Sequence, residues 1–278
     1  MKKILFAIVG LMSTATYAQT VKVALEKGKK YEVSTVTKVN SSASVMGQDM
    51  ETNVDNSTVE VYDIKDARAT ETDLTKVITK MAVSMQSMGQ DMSYDSEKKN
   101  NSGPLAESLD KVVNKVKNYT VDANGKIIKE DKDEADDAGA LGGLAALSPT
   151  TDGISILKVT LLGKTLNAEG SWDDSISTNA DKLKSTTVGT YKVTAIEGNI
   201  ATISFDGTQR LAGTIEQMGQ EMGMTGTNKI TGVYKVDLSS GLILSNITTT
   251  TGNSNIEAMG MSIPVTTKTT TTATTKIL

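Results

Sequence analysis

A period of two runs through this chain and leaves few folds open to it. "YEVSTVTKV" at Tyr31–Val39 sets Tyr31, Val33, Thr35, Thr37 and Val39 on one side of an extended backbone. "NSTVEVYDI" (Asn56–Ile64) and "TYKVTAI" (Thr190–Ile196) repeat the alternation. Around Lys235, "GVYKVDLSSGLILSNITTTT" reads as strand, Ser-Ser-Gly turn, strand, and the tail "VTTKTTTTATTKIL" is dense in threonine, whose branched Cβ favours extended backbone. Alternation at this density, broken by Asn-Gly, Asp-Gly and Glu-Gly pairs, predicts antiparallel sheet. In "YTVDANGKIIKE" the Asn124-Gly125 pair predicts a type I′ hairpin.

One segment departs from the period. In "SGPLAESLDKVVNKVKNY" the residues Leu105, Leu109, Val112, Val113 and Val116 form a single apolar stripe on a helix. Pro104 suits its first turn, and Ser102 or Gly103 its cap. The expected fold is therefore mainly β: a large curved antiparallel sheet, half-barrel-like or built from two pseudo-repeated halves, with one covering helix near 104–118. "GSWDDSI" is expected to start a strand whose Trp172 plugs the core with its N–H bonded to backbone.

The chain opens "MKKILFAIVGLMSTATYAQT": a positive start, an apolar stretch too short to span a bilayer, and small residues at Thr16 and Ala18. This reads as a signal peptide over 1–18, cut between Ala18 and Gln19, with no cysteine after the cut to carry a lipid anchor. The exported protein is expected in the periplasm or outside the cell, with no transmembrane segment in the mature chain. The remainder divides into an N-terminal β half with the helix (19–130), a linker (131–153) that is acidic and then rich in Gly and Ala, and a C-terminal β half (154–278). The spacing from Met46 to Met88 nearly equals that from Met218 to Met259, which hints at an old duplication.

Composition removes most chemistry. The chain has neither histidine nor cysteine, so a Ser-His-Asp triad, a cysteine nucleophile and histidine-held zinc are all excluded. The acidic run Glu130–Asp137 lacks the glycine and the late glutamate of a calcium loop. No catalytic residue, metal ligand set or cofactor is expected. The formal charge of −4 argues against a nucleic-acid partner.

What stands out is methionine: "MGQDM" at Met46–Met50 and Met88–Met92, "MGQEM" at Met218–Met222, and "MGM" at Met259–Met261. Glycine between extended runs marks a turn, and with Gly-Gln-Asp or Gly-Gln-Glu as that turn, the flanking methionines would face each other across a hairpin. Met81 and Met85 add to the face around the second unit. Three roles compete. Flexible, polarizable thioethers fill irregular core space, line adaptable apolar surfaces, or bind Cu(I). The candidate apolar cleft comprises Met46, Met50, Met81, Met85, Met88, Met92, Met218, Met222, Met259 and Met261.

"LEKGKKYEVSTVT", the "MGQDM" hairpins, "MSYDSEK", "YTVDANGKI", and "GSWDDSI" followed by "YKVTAIEGNIATIS" together resemble a family of exported proteins of Gram-negative bacteria classed as a domain of unknown function. The family's layout looks like the half-open barrels of periplasmic lipoprotein and lipid carriers. The family has no assigned activity; the methionine units and the lack of catalytic side chains point to a non-enzymatic binding or carrier protein for a lipid or other apolar ligand. The alternatives are a structural or adhesive envelope protein that binds a protein partner and, as a lesser one, a Cu(I) binder.

Overall fold

The structure, a computed structural model, describes residues 19–45, 47–87, 89–99, 101–131, 154–180, 182–217, 220–258 and 260–278. The strands are β1 (Gln19–Thr20), β2 (Lys30–Val45), β3 (Gln48–Ala67), β4 (Glu71–Ser87), β5 (Gln90–Asp95), β6 (Val116–Asp122), β7 (Ile127–Glu130), β8 (Thr165–Leu166), β9 (Ser171–Ala180), β10 (Leu183–Glu197), β11 (Ile200–Gln217), β12 (Gln220–Asp237), β13 (Ile243–Ala258) and β14 (Met261–Ile277); the helix α1 is Pro104–Leu109. Twelve strands make one sheet in the order β7-β6-β4-β3-β2-β14-β13-β12-β11-β10-β9, with β5 paired to the remaining length of β4. All its pairs are antiparallel. The sheet does not close into a barrel. Its middle is the β2–β14 ladder, from Tyr31–Ile277 to Ala43–Val265, so strands from both ends of the chain share one surface.

The turns fall into two rows. Pairs Val45–Gln48, Ser87–Gln90, Gln217–Gln220 and Ala258–Met261 close hairpins at one margin, the tips. Gly47, Gly89 and Gly260 there have φ of 80°, 74° and 77°, which an unbranched backbone tolerates and an L side chain resists. This corrects the expected turn: Gln48 and Asp49 already belong to the return strand. The methionine that follows is paired with Ala43 in the first unit, not with the methionine before the glycine.

At the opposite margin, the base, residues 21–25 and 154–166 lie against one face of the sheet. Val21, Leu25, Ile156, Leu161 and Leu166 pack there on Tyr62, Ile64, Tyr191 and Ile203, each at most 4% exposed. We call this the inner face. A second cluster sits on the N-terminal half, where Leu105, Ala106, Leu109 and Val113 cover Val39, Val54, Ile78 and Val83. The helix and the base segments 21–25 and 154–166, the plug, thus cover separate parts of one face, and alternation delivers a solvated face opposite.

A buried polar group fixes the plug to the sheet. Tyr62 Oη donates to Glu60 Oε2 (2.8 Å), Ser155 Oγ donates to the same oxygen (2.6 Å), and the Ser155 N–H donates to Tyr62 Oη (3.0 Å). Lys76 Nζ lies 3.6 Å from Glu60 Oε1, with side chains only 4% and 10% exposed. Burial, with the Glu60 charge beside it, pushes the Tyr62 phenol well above its ordinary pKa.

Three local expectations need correction. The helix ends at Leu109 instead of running to 118. Val112, Val113 and Asn114 are poor helix formers. Asn114 turns with φ 60° and donates its N–H to Ile78 O (2.8 Å), after which Val116, 56% exposed, enters the ladder with β4. Gly103 precedes the helix with no side-chain cap. The Asn124-Gly125 turn is not type I′: only Gly125 takes positive φ (74°), its N–H bonding Asp122 O at 2.9 Å. Asp122 Oδ1 also accepts the N–H groups of Asn124 and Lys126 (2.9 Å each), which favours a type I turn with a following bulge. Trp172 does pack on the base core, stacked on Tyr191 at 5.2 Å and 14°. Its buried Nε1–H, however, has no hydrogen-bond partner among the described residues.

Replacing Tyr62 with Phe removes the acceptor of the Ser155 N–H and a donor to Glu60. We expect a loss of about 1–3 kcal/mol in urea unfolding; no loss would show that the plug is not anchored there. Asp237, the last residue of β12, gives a pH-dependent counterpart. Burial works to raise its pKa, but hydrogen bonds from Ser239 and Ser240 outweigh it and hold the carboxyl below its ordinary value. The stabilisation is therefore present above the unfolded-state pKa of about 3.9 and is lost as pH falls through the depressed folded value. Wild type should exceed Asp237→Asn by about 1 kcal/mol at pH 7, and the gap should close on acidification.

Candidate functional site

Strand register assigns every described methionine of the candidate cleft to the inner face. Met222 and Met224 alternate without a register break down to Tyr234 of the base core. Met261 likewise shares a side with Ala273, Met50 with Val54, and Met81 and Met85 with Val83. Met92 is the direct partner of Met85. Met46, Met88, Met218 and Met259 lie outside the described residues, as does Ala18; Gln19 pairs with Leu166.

The environments differ. Met81 is 6% exposed inside the helix-covered cluster and Met85 packs against it, so both fill core. Met50 and Met222 are half-buried. Met92 and Met261 are 36% and 37% exposed. At about 4.8 Å per strand, Met92 and Met222 stand about 29 Å apart across the sheet. These side chains form a row along the tips and do not surround one point.

Apolar neighbours that sequence reasoning passed over make that row into a band. Leu183, Leu211, Met224, Ile256, Ile263 and Val265 share the inner face near the tips. All six are half-buried, and none belongs to either core cluster. Among the described residues, no segment packs across them. The signal was available for Met224, the next inward position after Met222.

Toward the base the face changes character. Asn228 Nδ2 donates to Gln209 Oε1 (2.8 Å), and Gln209 Nε2 donates to Ser185 Oγ (2.9 Å), so this polar layer satisfies itself. Below it the strands carry glycine. The Phe205 ring leans over Gly189 and Gly207, where a Cβ would fall 2.6 and 2.5 Å from ring atoms, and the Tyr234 ring leans over Gly232. The result is a low floor of rings and bare backbone.

At the lower end of that floor stands Lys158, from the plug. Its ammonium is 4.9 Å from the Tyr234 ring centroid and 6.0 Å from that of Tyr191, whose hydroxyl accepts from Thr160 Oγ1 at 3.2 Å. Burial works to lower the lysine pKa, but the phenols of Tyr234 and Tyr191 outweigh it and hold it above the ordinary value, so the group is cationic at neutral pH. Among the described residues no carboxylate lies within ion-pair distance of it. The lone lysine in "ISILKVTLL" was its sequence signal.

The opposite face is mostly polar but exposes Val36, Val116, Val188, Ile200, Val233 and Ile247. A hollow of about 530 Å³ lies on it, lined by Thr190, Asp206, Thr231, Val233, Ile247 and Thr249 among others. Among the described residues no group of acidic side chains is placed to hold a metal ion, and no helix is long and apolar enough to cross a membrane.

No protein-family model and no curated sequence matches the chain, so the resemblance to a family of exported proteins gains no support from that side. Among solved structures the chain is similar to one titled for lipid–protein interactions in lipovitellin, at 11% identity and a TM-score of 0.54, over 92% of this chain and 26% of that one. The chain thus spans about a quarter of that protein's length, and the likeness is one of fold. An outer membrane channel from Pseudomonas putida F1 aligns over 92% of this chain and 97% of its own at 9% identity, with a TM-score of 0.36, too loose a superposition to bear on this fold.

The two kinds of methionine separate by mutation. Met81→Ala should cost about 2–5 kcal/mol, whereas Met92→Ala should stay within about 0.5 kcal/mol, both read by urea unfolding. The reverse order would mean that the helix does not seal Met81.

Proposed function

We propose that this protein is a non-enzymatic binding or carrier protein of the cell envelope that takes a lipid or another apolar ligand on the inner face of its sheet. The observation that carries the proposal is the half-buried band of Leu183, Leu211, Met222, Met224, Ile256, Ile263 and Val265, on which no described segment packs. Apolar surface left facing water costs about 25 cal/mol per Å² relative to burial, and a contiguous patch of this kind marks a binding surface. Flexible thioethers let such a surface fit chains of different shape.

Two further observations support the reading. The lipovitellin structure, titled for lipid–protein interactions, shares the fold of this chain. The signal-peptide pattern before Gln19 supports an envelope location, where lipids move between membranes. The copper alternative loses ground, because among the described methionines only Met85 and Met92 are direct cross-strand partners. A protein partner is the second reading, favoured by the outer-face hollow beside exposed Val233 and Ile247.

The test is gentle purification of the mature protein, native mass spectrometry, and titration with a fluorescent fatty acid. We expect co-purifying lipid or saturable binding, and a drop of at least tenfold on placing a charge in the band with Leu211→Lys, at unchanged unfolding midpoint. A ligand-free mass together with no fatty-acid binding would sink the proposal.

A further inference from the structure

The inner face is polarised along its strands. Its tip end is apolar and neutral; at its base end Lys76 is paired with Glu60, and Lys158 stands between two phenols. A half-buried ammonium with no carboxylate partner among the described residues, facing rings on two sides, is an incomplete ion pair. The acids of this face do not complete it. Glu60 is engaged by Lys76, Tyr62 and Ser155, and Asp174, on edge strand β9, makes no ion pair with Lys158. The flanking hydroxyls of Tyr191 and Tyr234 add donors of the kind that recognise an oxyanion.

Between cation and band runs the floor of Gly189, Gly207, Gly232 and the rings that lie on them. The rise from Gly232 to Gly226, beside Leu211, is about 20 Å along the strand. Each leaflet contributes about 15 Å of chain to a bilayer's ~30 Å hydrocarbon core. A chain of that length anchored near Lys158 therefore passes Ile230 and the self-bonded Gln209–Asn228 layer and ends about 5 Å below Leu211, at the foot of the band.

We propose that the ligand is a single-chain amphiphile with an anionic head, a carboxylate or a phosphate, that the head pairs with Lys158 between Tyr191 and Tyr234, and that the tail runs along β11 and β12 toward the tips. This rests on the carrier reading and adds the head-group chemistry and the direction of the chain. The overall charge of −4 works against binding anions, so a preference for an anionic head must come from a local site.

The experiment titrates wild type at pH 7 with three probes sharing one chain: oleate, oleyl alcohol and oleyl trimethylammonium. Lysophosphatidate with an oleoyl chain serves as the phosphate arm. Oleate should bind at least tenfold tighter than the alcohol, and the trimethylammonium probe most weakly. Lys158→Gln should bring oleate down to the level of the alcohol and leave the alcohol within twofold; Lys158→Arg should keep the preference. If only one of oleate and lysophosphatidate loses affinity in Lys158→Gln, that one identifies the head. Equal binding of all four probes to wild type, or an anion preference that survives Lys158→Gln for both oleate and lysophosphatidate, overturns the head-group assignment while leaving the carrier reading intact. Binding of none of the probes to wild type overturns both. Should Lys158→Gln fail to fold by circular dichroism, the wild-type head series decides alone, in favour if the anion is preferred and against if the affinities are equal.

Discussion

Coverage of a wide open sheet is the constraint on which the rest of this structure depends. A sheet that does not close into a barrel presents two full faces, and large apolar side chains are scarce here: aromatic residues are 4% of the chain. Every described aromatic residue is placed in the base core or beside it, except Tyr94 in the helix-covered cluster. On β9–β14 the tip half of the inner face has none among the described residues. It is built from threonine, glycine, methionine and small aliphatics, which cannot make a dry, self-sufficient core. The molecule therefore concentrates its packing at the base and leaves apolar side chains half-buried toward the tips.

The base must then be rigid and uniquely docked, because the plug also positions Lys158. Apolar packing alone tolerates small slips of a loop on a flat sheet. The Tyr62–Glu60–Ser155 hydrogen bonds and the Lys76 ion pair tolerate fewer, since a slip would leave buried polar groups unmatched at a cost of about 1–3 kcal/mol each. Three residues beyond Ser155 the chain presents Lys158 to Tyr234. The side chains that hold the plug and the one that faces the floor thus lie on a single short segment, so register at one fixes register at the other.

Much of this was legible in the sequence because period two is a local property. The alternation in Tyr31–Val39 and Asn56–Ile64 correctly marks β2 and β3, and it even names the inner side. What failed were places where a longer-range or finer interaction wins. The apolar stripe to Val116 looks helical, but β4 offers a ladder to Val116–Asp122, and the helix stops at Leu109. Asn-Gly favours a type I′ turn until Asp122 supplies side-chain acceptors for a different one. The methionine units were visible as turns, but not that β14 would pair with β2 and bring units from both halves onto one margin. Lys158 shows in the sequence only as a lone lysine in an apolar run, and nothing local says that the loop carrying it folds back onto Tyr191 and Tyr234.

The placement of the methionines follows from what an uncovered lip must do. When empty, the band meets water, and rigid β-branched or aromatic residues there would favour pairing with another sheet. An unbranched thioether keeps rotamer freedom while exposed and still makes close contacts when something lies on it. Because the row extends about 29 Å across the strands, it cannot define one pocket for one head group. It suits the variable part of a ligand instead, the hydrocarbon, while a fixed cation at the other end of the strands suits the invariant part. Under the carrier proposal, specificity would reside at the base beside Lys158 and adaptability along the methionine row at the tips.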